Sequence, residues 1–173
     1  MYKLSRAPLI SARQIDKRLE VLAQELKACN FDIILSALTG SYMFTADISR
    51  RIASPSLQIA FIKASSYGNS TESQGKVKIR GLENIDIKDK HILIIDDILD
   101  TGNTMYTLVQ TLAELNPASI KTCVLLNKES RRTVDCHADF VGFEIENKFV
   151  VGYGLDYANE YRTLPEIWTL EEV

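Results

Sequence analysis

The chain has 173 residues, of which 46% are hydrophobic and 25% charged; this is enough for one ordinary domain with its own hydrophobic core and too little for two independent ones. That balance excludes wholesale disorder, a collagen-like rod and a coiled coil, and no apolar run approaches the ~20 residues of a membrane span. A formal net charge of −3 gives no chain-wide attraction to nucleic acid or anionic lipid. Cys29, Cys123 and Cys136 are odd in number and form no CxxC pair, which suits a reducing compartment. Met1 leads into polar sequence rather than a signal-peptide apolar stretch, so the expectation is an unexported, cytoplasmic protein.

Helical and extended patterns alternate from end to end, the signature of an α/β domain with a mostly parallel sheet. Ser11 and Gln14 form a capping box, after which Ile15, Leu19, Leu22 and Leu26 recur at helical spacing up to Asn30. Phe31 to Leu38 is a short β-rich apolar run, broken by Gly40 before a second helical stretch from about Tyr42 to Ile52. Leu57 to Ala64 is a further strand, and residues 65–75 are polar and predict a mobile loop. Val77 and Ile79 alternate with basic residues as in a half-exposed strand, which leads past His91 into the densest apolar run, Ile92 to Ile95. Met105, Leu108, Leu112 and Leu115 predict a helix ending before Pro117, followed by a strand from Ser119 to Leu126 and short strands at Phe140 to Ile145 and Phe149 to Tyr153.

Chemistry concentrates where the Ile92 strand ends. Asp96 and Asp97 are followed by Asp100 and by the small-residue turn Thr101-Gly102-Asn103-Thr104, which opens a helix. Such a turn is an anion cradle: the glycine lets the backbone approach closely, the hydroxyls donate, and the exposed N–H groups of the helix start attract negative charge. Ligands of open α/β sheets bind beyond the carboxyl ends of strands, where this turn falls. Three carboxylates beside a phosphate would repel it unless sugar hydroxyls or Mg²⁺ require them. The combination therefore calls for a phosphorylated sugar, with phosphate on the turn, the ribose diol on Asp96 and Asp97, and Asp100 free for acid/base chemistry. Taken singly, each residue fits an ordinary strand–turn–helix junction with solvated acids.

The stretch from Ile92 to Thr104 resembles the phosphoribosyl-pyrophosphate motif of the type I phosphoribosyltransferases. Leu38-Thr39-Gly40-Ser41 resembles the pyrophosphate loop of their hypoxanthine-guanine branch, and Ser66-Tyr67-Gly68 the start of its mobile catalytic loop. The segments Asp139 to Ile145 and Lys148 to Tyr157 resemble its purine-binding end, so the likeness runs from about Phe31 to Leu170. It implies a type I phosphoribosyltransferase fold over residues 1–173 as one domain: a mostly parallel core sheet flanked by helices, with a small hood from about 138–173 and the N-terminus.

The activity implied is purine salvage, the Mg²⁺-dependent transfer of the 5-phosphoribosyl group from phosphoribosyl pyrophosphate to hypoxanthine or guanine, in a homodimer or homotetramer. By the same resemblance Asp100 is the acid/base at the purine N7 proton, and Thr101, Gly102, Asn103 and Thr104 bind the 5-phosphate beside Asp96 and Asp97. Thr39, Gly40 and Arg162 bind pyrophosphate. Lys128 reads the 6-oxo group and so rejects adenine, Phe149 stacks on the ring, and the Val150 backbone reads its edge. Asp156 assists purine binding and, with Asp96 and Asp97, holds metal, while Ser66 and Tyr67 belong to a loop that closes to exclude water. Relatives often carry Lys or Arg where this chain has Thr39, so backbone N–H groups are left to bind the anion there. The alternatives are a xanthine-preferring relative and a non-catalytic phosphoribosyl-pyrophosphate sensor that binds nucleic acid.

Other signals are weaker. Asp135-Cys136-His137-Ala138-Asp139 lacks the spacing of a zinc site, Gly152-Tyr153-Gly154 lacks the third glycine of a dinucleotide fingerprint, and Gly68 to Lys76 lacks the features of a Walker loop.

Overall fold

In a computed structural model, which describes residues 2–66 and 77–172, the alternating pattern becomes two sheets. The elements are β1 (Tyr2–Leu4), α1 (Ala12–Lys27), β2 (Ile33–Ala37), α2 (Tyr42–Arg51), β3 (Gln58–Ser66), β4 (Val77–Arg80), β5 (His91–Leu99), α3 (Asn103–Ala113), β6 (Ser119–Asn127), β7 (Phe140–Glu144), β8 (Val150–Val151) and β9 (Trp168–Glu172). The larger sheet has the order β4-β3-β2-β5-β6-β7. Every pairing in it is parallel except that of β4 with β3, which joins Lys63 to Arg80 and Ser66 to Val77.

The apolar runs of β2 and β5 are continuous because both faces are covered. Ile34, Leu93 and Ile95 pack with the α1 and α2 side chains, whereas Ile33, Leu35, Ile92 and Ile94 pack with Met105, Leu108 and Leu112 of α3. The α1 stripe of Ile15, Leu19, Leu22, Ala23 and Leu26 is buried, and its start is fixed by the capping box: Gln14 N donates to Ser11 Oγ at 3.3 Å and Ser11 N donates to Gln14 Oε1 at 2.9 Å. Parallel pairing puts the carboxyl ends of β2, β5 and β6 along one edge, so the segments after Ala37, Leu99 and Asn127 meet there.

Several boundaries differ from the sequence expectation. β3 continues through Ser65 and Ser66, since cross-strand pairing with β4 supplies the backbone partners that a polar pair cannot supply alone; Tyr67 and the rest of the expected mobile loop lie outside the described residues. His91 is the first residue of β5 rather than a residue ahead of it, and α3 ends at Ala113, leaving Leu115 exposed. Only Val150 and Val151 of the Phe149–Tyr153 run are extended. The terminal strands β1 and β9 carried no readable alternation. They form, with β8, a second sheet of order β1-β9-β8, antiparallel from Tyr2 with Glu172 to Val151 with Trp168.

Truncating Leu93, fully buried between layers, to Ala is expected to cost about 2–5 kcal/mol, and Ser11→Ala about 1 kcal/mol through the lost cap. Urea unfolding at constant m-value checks both; equal losses would mean that the two-face burial of β5 is not the dominant packing.

Candidate active site

The loop after β2 is fixed from below by hydroxyl groups that satisfy one another. Ser36 Oγ lies 3.0 Å from Ser41 Oγ and 2.8 Å from Thr45 Oγ1, and Ser41 Oγ donates to the Ala37 carbonyl at 2.6 Å; all three side chains are buried. The Leu38–Thr39 peptide in this loop is cis. Gly40 packs so tightly on β5 that a Cβ there would run into the Asp97 carboxylate.

Asp96 and Asp97 are half-buried at the end of β5. Asp96 Oδ1 accepts from Asp97 N at 2.9 Å, and Asp97 Oδ1 accepts from Ile98 N at 2.8 Å. Burial raises both carboxyl pKa values, that of Asp96 well above the usual range, with the adjacent Asp97 charge adding to it. On Asp97 burial outweighs its hydrogen bonds and the Arg162 charge, which act the other way.

Beyond them a cleft of about 250 Å³ runs from Asp96 to Met105. Gly102 caps α3 at φ 89°, a left-handed conformation that favours glycine. A Cβ there would also lie 2.9 Å from Arg132 Cδ, 3.1 Å from Val134 and 3.2 Å from Cys136. Thr101, Gly102, Thr104 and Met105 at the start of α3 line the cleft, and a helix N-terminus is where an anion is favoured. Asp100 Oδ1 accepts from Arg131 Nε at 3.0 Å, and the Asp100 carbonyl accepts from Arg132 Nη1.

The third contributor is the segment after β6. Lys128 N donates to the Leu99 carbonyl at 2.9 Å, and Thr133 N donates to the Thr101 carbonyl at 2.9 Å. The Lys128 side chain is 7% exposed. Its ammonium pKa is lowered mainly by burial; Asp100 opposes this and Arg131 adds to it. Arg132 also donates to Asn127 Oδ1, and the Asn127 amide donates to both Glu144 oxygens at 3.0 and 2.9 Å. The sequence reading missed Asn127, Arg131, Arg132 and Glu144; its only signal was the adjacent arginine pair three residues past Lys128.

From the smaller sheet, Phe149 is 54% exposed rather than core, with its ring edge-on to Tyr157 at 5.9 Å, while Val150 is buried and paired with Thr169. Arg162 Nη2 lies 2.8 Å from Asp156 Oδ1, Arg162 Nη1 donates to the Gly154 carbonyl at 2.9 Å, and Gly154 packs against the Gly40 carbonyl. The Arg162 pair with Asp156 therefore stands beside the loop after β2, and Tyr153 Oη ties the same turn to Asp47 of α2 at 2.6 Å. His137 and Asp135 meet at 3.4 Å with both side chains exposed, and among the described residues no group of three or more His, Cys, Asp or Glu is placed to hold a metal ion.

A mostly parallel sheet with an acidic pair and a glycine turn at its carboxyl edge is the layout of an α/β domain that binds its ligand at that edge. Residues 10–158 match the family described as the phosphoribosyl transferase domain, and the chain belongs to that family. It is 39% identical over 168 residues to a hypoxanthine-guanine phosphoribosyltransferase of Aquifex aeolicus, covering 95% of this chain and 94% of the relative. It is 43% identical over 166 residues to that of Bacillus subtilis, covering 94% and 92%. A crystal structure of a hypoxanthine-guanine phosphoribosyltransferase from Bacillus anthracis superposes with a TM-score of 0.89 at 34% identity, covering 99% of this chain and 100% of that one.

Gly40→Ala is expected to weaken phosphoribosyl pyrophosphate binding at least about tenfold, by displacing Asp97, at an unchanged secondary-structure content. Calorimetric titration with circular dichroism checks this, and undiminished affinity would detach the Gly40–Asp97 contact from the site.

Proposed function

We propose that the protein is a purine-salvage enzyme that transfers the 5-phosphoribosyl group from phosphoribosyl pyrophosphate to hypoxanthine or guanine, giving IMP or GMP and pyrophosphate, with Mg²⁺. The observation that carries it is the cleft lined by Asp96, Asp97, Asp100, Thr101, Gly102 and Thr104 at the sheet edge, where the segment of the buried Lys128 is bonded to the Leu99 carbonyl. The hypoxanthine-guanine phosphoribosyltransferases aligned over more than nine-tenths of the chain support the same substrates.

The reaction joins purine N9 to the anomeric carbon as the bond to pyrophosphate breaks, and the N7 proton must leave the ring. Asp100, one of the residues lining the cleft, takes that proton. Lys128 offers only donors, so its ammonium pairs with a 6-oxo group and leaves a 6-amino group facing like polarity. The exposed Phe149 ring supplies a stacking face and the Val150 backbone an edge. Arg162, beside Gly40, faces the developing charge of the leaving group. Thr39 contributes backbone rather than charge there.

The residues fit Mg²⁺. Asp96 and Asp97 offer hard carboxylate oxygens at the cleft, and Mg²⁺ is bound through one or two carboxylates together with substrate phosphates rather than by an all-protein cage. When bound it neutralises diphosphate charge. Asp156, with Oδ1 on Arg162 and Oδ2 accepting from Asn159 N at 2.9 Å, would add a carboxylate near the pyrophosphate. The fold serves as one phosphoribosyltransferase domain with the β1-β9-β8 sheet as its hood.

We place the protein in the cytoplasm, in keeping with free Cys29, Cys123 and Cys136; among the described residues no helix is long and apolar enough to cross a membrane. Self-association is supported by Ile59 and Phe61, 43% and 55% exposed side by side on β3. Light scattering at micromolar concentration should give a dimer or tetramer, and Phe61→Glu should lower the mass; a wild-type monomer would refute the assembly.

The deciding assay supplies Mg²⁺, phosphoribosyl pyrophosphate and each of hypoxanthine, guanine, xanthine and adenine. Nucleotide is expected from hypoxanthine or guanine and not from adenine. Binding of the cosubstrate without turnover of any base would identify a sensor instead. Asp100→Asn should lower kcat by about 10²-fold or more with cosubstrate affinity nearly unchanged, and equal losses in both would remove Asp100 from acid/base work.

A further inference from the structure

Asp100 sits at the tip of the loop that leaves β5, and its carboxylate is partly exposed. A carboxylate in that position turns freely about its side-chain torsions unless something holds it, and misplacement of a reacting group by about 1 Å costs about 10²-fold in rate. Arg131 meets it: the guanidinium Nε donates to Oδ1 at 3.0 Å. Arg131 belongs to the short 3₁₀ turn Glu129–Arg131. The main chain flanking that turn is bonded to the Asp100 loop on both sides, through Lys128 N to the Leu99 carbonyl and Thr133 N to the Thr101 carbonyl, each at 2.9 Å. The spacing between the Arg131 and Asp100 backbones is therefore set by main-chain bonds.

We propose that Arg131 is a positioning residue for phosphoribosyl transfer: its guanidinium holds Asp100 Oδ1 so that Oδ2 is presented to the purine, and it binds neither substrate. This rests on the assignment of Asp100 as the acid/base. Both partners are about 40% exposed, at 46% for Arg131 and 37% for Asp100, and exposed ion pairs contribute little to stability. What the contact fixes is orientation. The neighbouring Arg132 does a different task, since it grips the Asp100 carbonyl and the Asn127 side chain from a half-buried position; it sets where the loop lies, and Arg131 sets how the carboxylate points.

The test compares wild type, Arg131→Ala, Asp100→Asn and the double variant. It reads single-turnover rate at saturating substrates, calorimetric affinity for phosphoribosyl pyrophosphate with Mg²⁺, and melting temperature. Arg131→Ala should slow the single turnover about tenfold to a hundredfold, change affinity by less than about twofold, and shift melting by less than about 3 °C. In the Asp100→Asn background the same change should alter the rate by less than about twofold, because the group it positions has lost its function. Equal slowing in both backgrounds, or a weakened cosubstrate at an unchanged rate, would overturn the positioning role, the second by making Arg131 a pyrophosphate ligand. A wild-type rate in Asp100→Asn sinks the acid/base assignment and the inference together, whereas a slow Asp100→Asn with a wild-type Arg131→Ala sinks the inference alone.

Discussion

The contact between Gly40 and the Asp97 carboxylate brings the ends of β2 and β5 together at one point. Without a side chain on Gly40 the loop after β2 lies directly on the acid, and the buried Ser36, Ser41 and Thr45 hydroxyls hold that loop from beneath. On its far side the Gly40 carbonyl receives Gly154, so the turn carrying Arg162 and Asp156 is stacked on the same spot. Three segments distant in sequence thus share one close approach, and each depends on an atom that is missing from glycine.

The segment from Lys128 to Thr133 acts as the second wall. It is bonded to the β5–α3 loop at the Leu99 and Thr101 carbonyls through its main chain, and at Asp100 through two consecutive arginine side chains. Arg132 is in turn tied through Asn127 to Glu144 at the end of β7. A loop that would otherwise be held only at its ends is supported along its length, which suits a group that must meet a reacting atom with little positional slack.

Much of this was legible in the sequence because it is local. The paired acids, the Thr101–Thr104 turn and the apolar run of Ile92 to Ile95 lie within one strand–turn–helix unit, and the helical stripes of α1 and α3 follow from spacing alone. What stayed hidden is long-range. β1 is three residues long and becomes a strand only because β9, some 170 residues on, supplies its partner; neither alternates clearly. The Arg131–Asp100 and Asn127–Glu144 contacts join residues 31 and 17 positions apart, and nothing in either segment names the other. Phe149 lies in an apolar run whose next members, Val150 and Val151, are buried, yet its own ring is exposed, a difference that spacing does not reveal.

The opposed shifts at the site have one cause. Burial disfavours the charged form of any group, so the Asp96 and Asp97 pKa values rise and that of Lys128 falls. For an acid whose folded pKa is raised, the contribution to stability is present while the group is protonated and is lost as pH rises through that value. The charged forms of both acids and of the lysine are therefore disfavoured at this edge by the same burial. On the proposed reading, a cation-bound diphosphate would relieve the acids and a ring carbonyl the lysine, so one complex would satisfy both ends of the edge at once. On the same reading, a complex with a 6-amino purine would leave the lysine end unrelieved, which would tie base selectivity to the burial that also perturbs the acids.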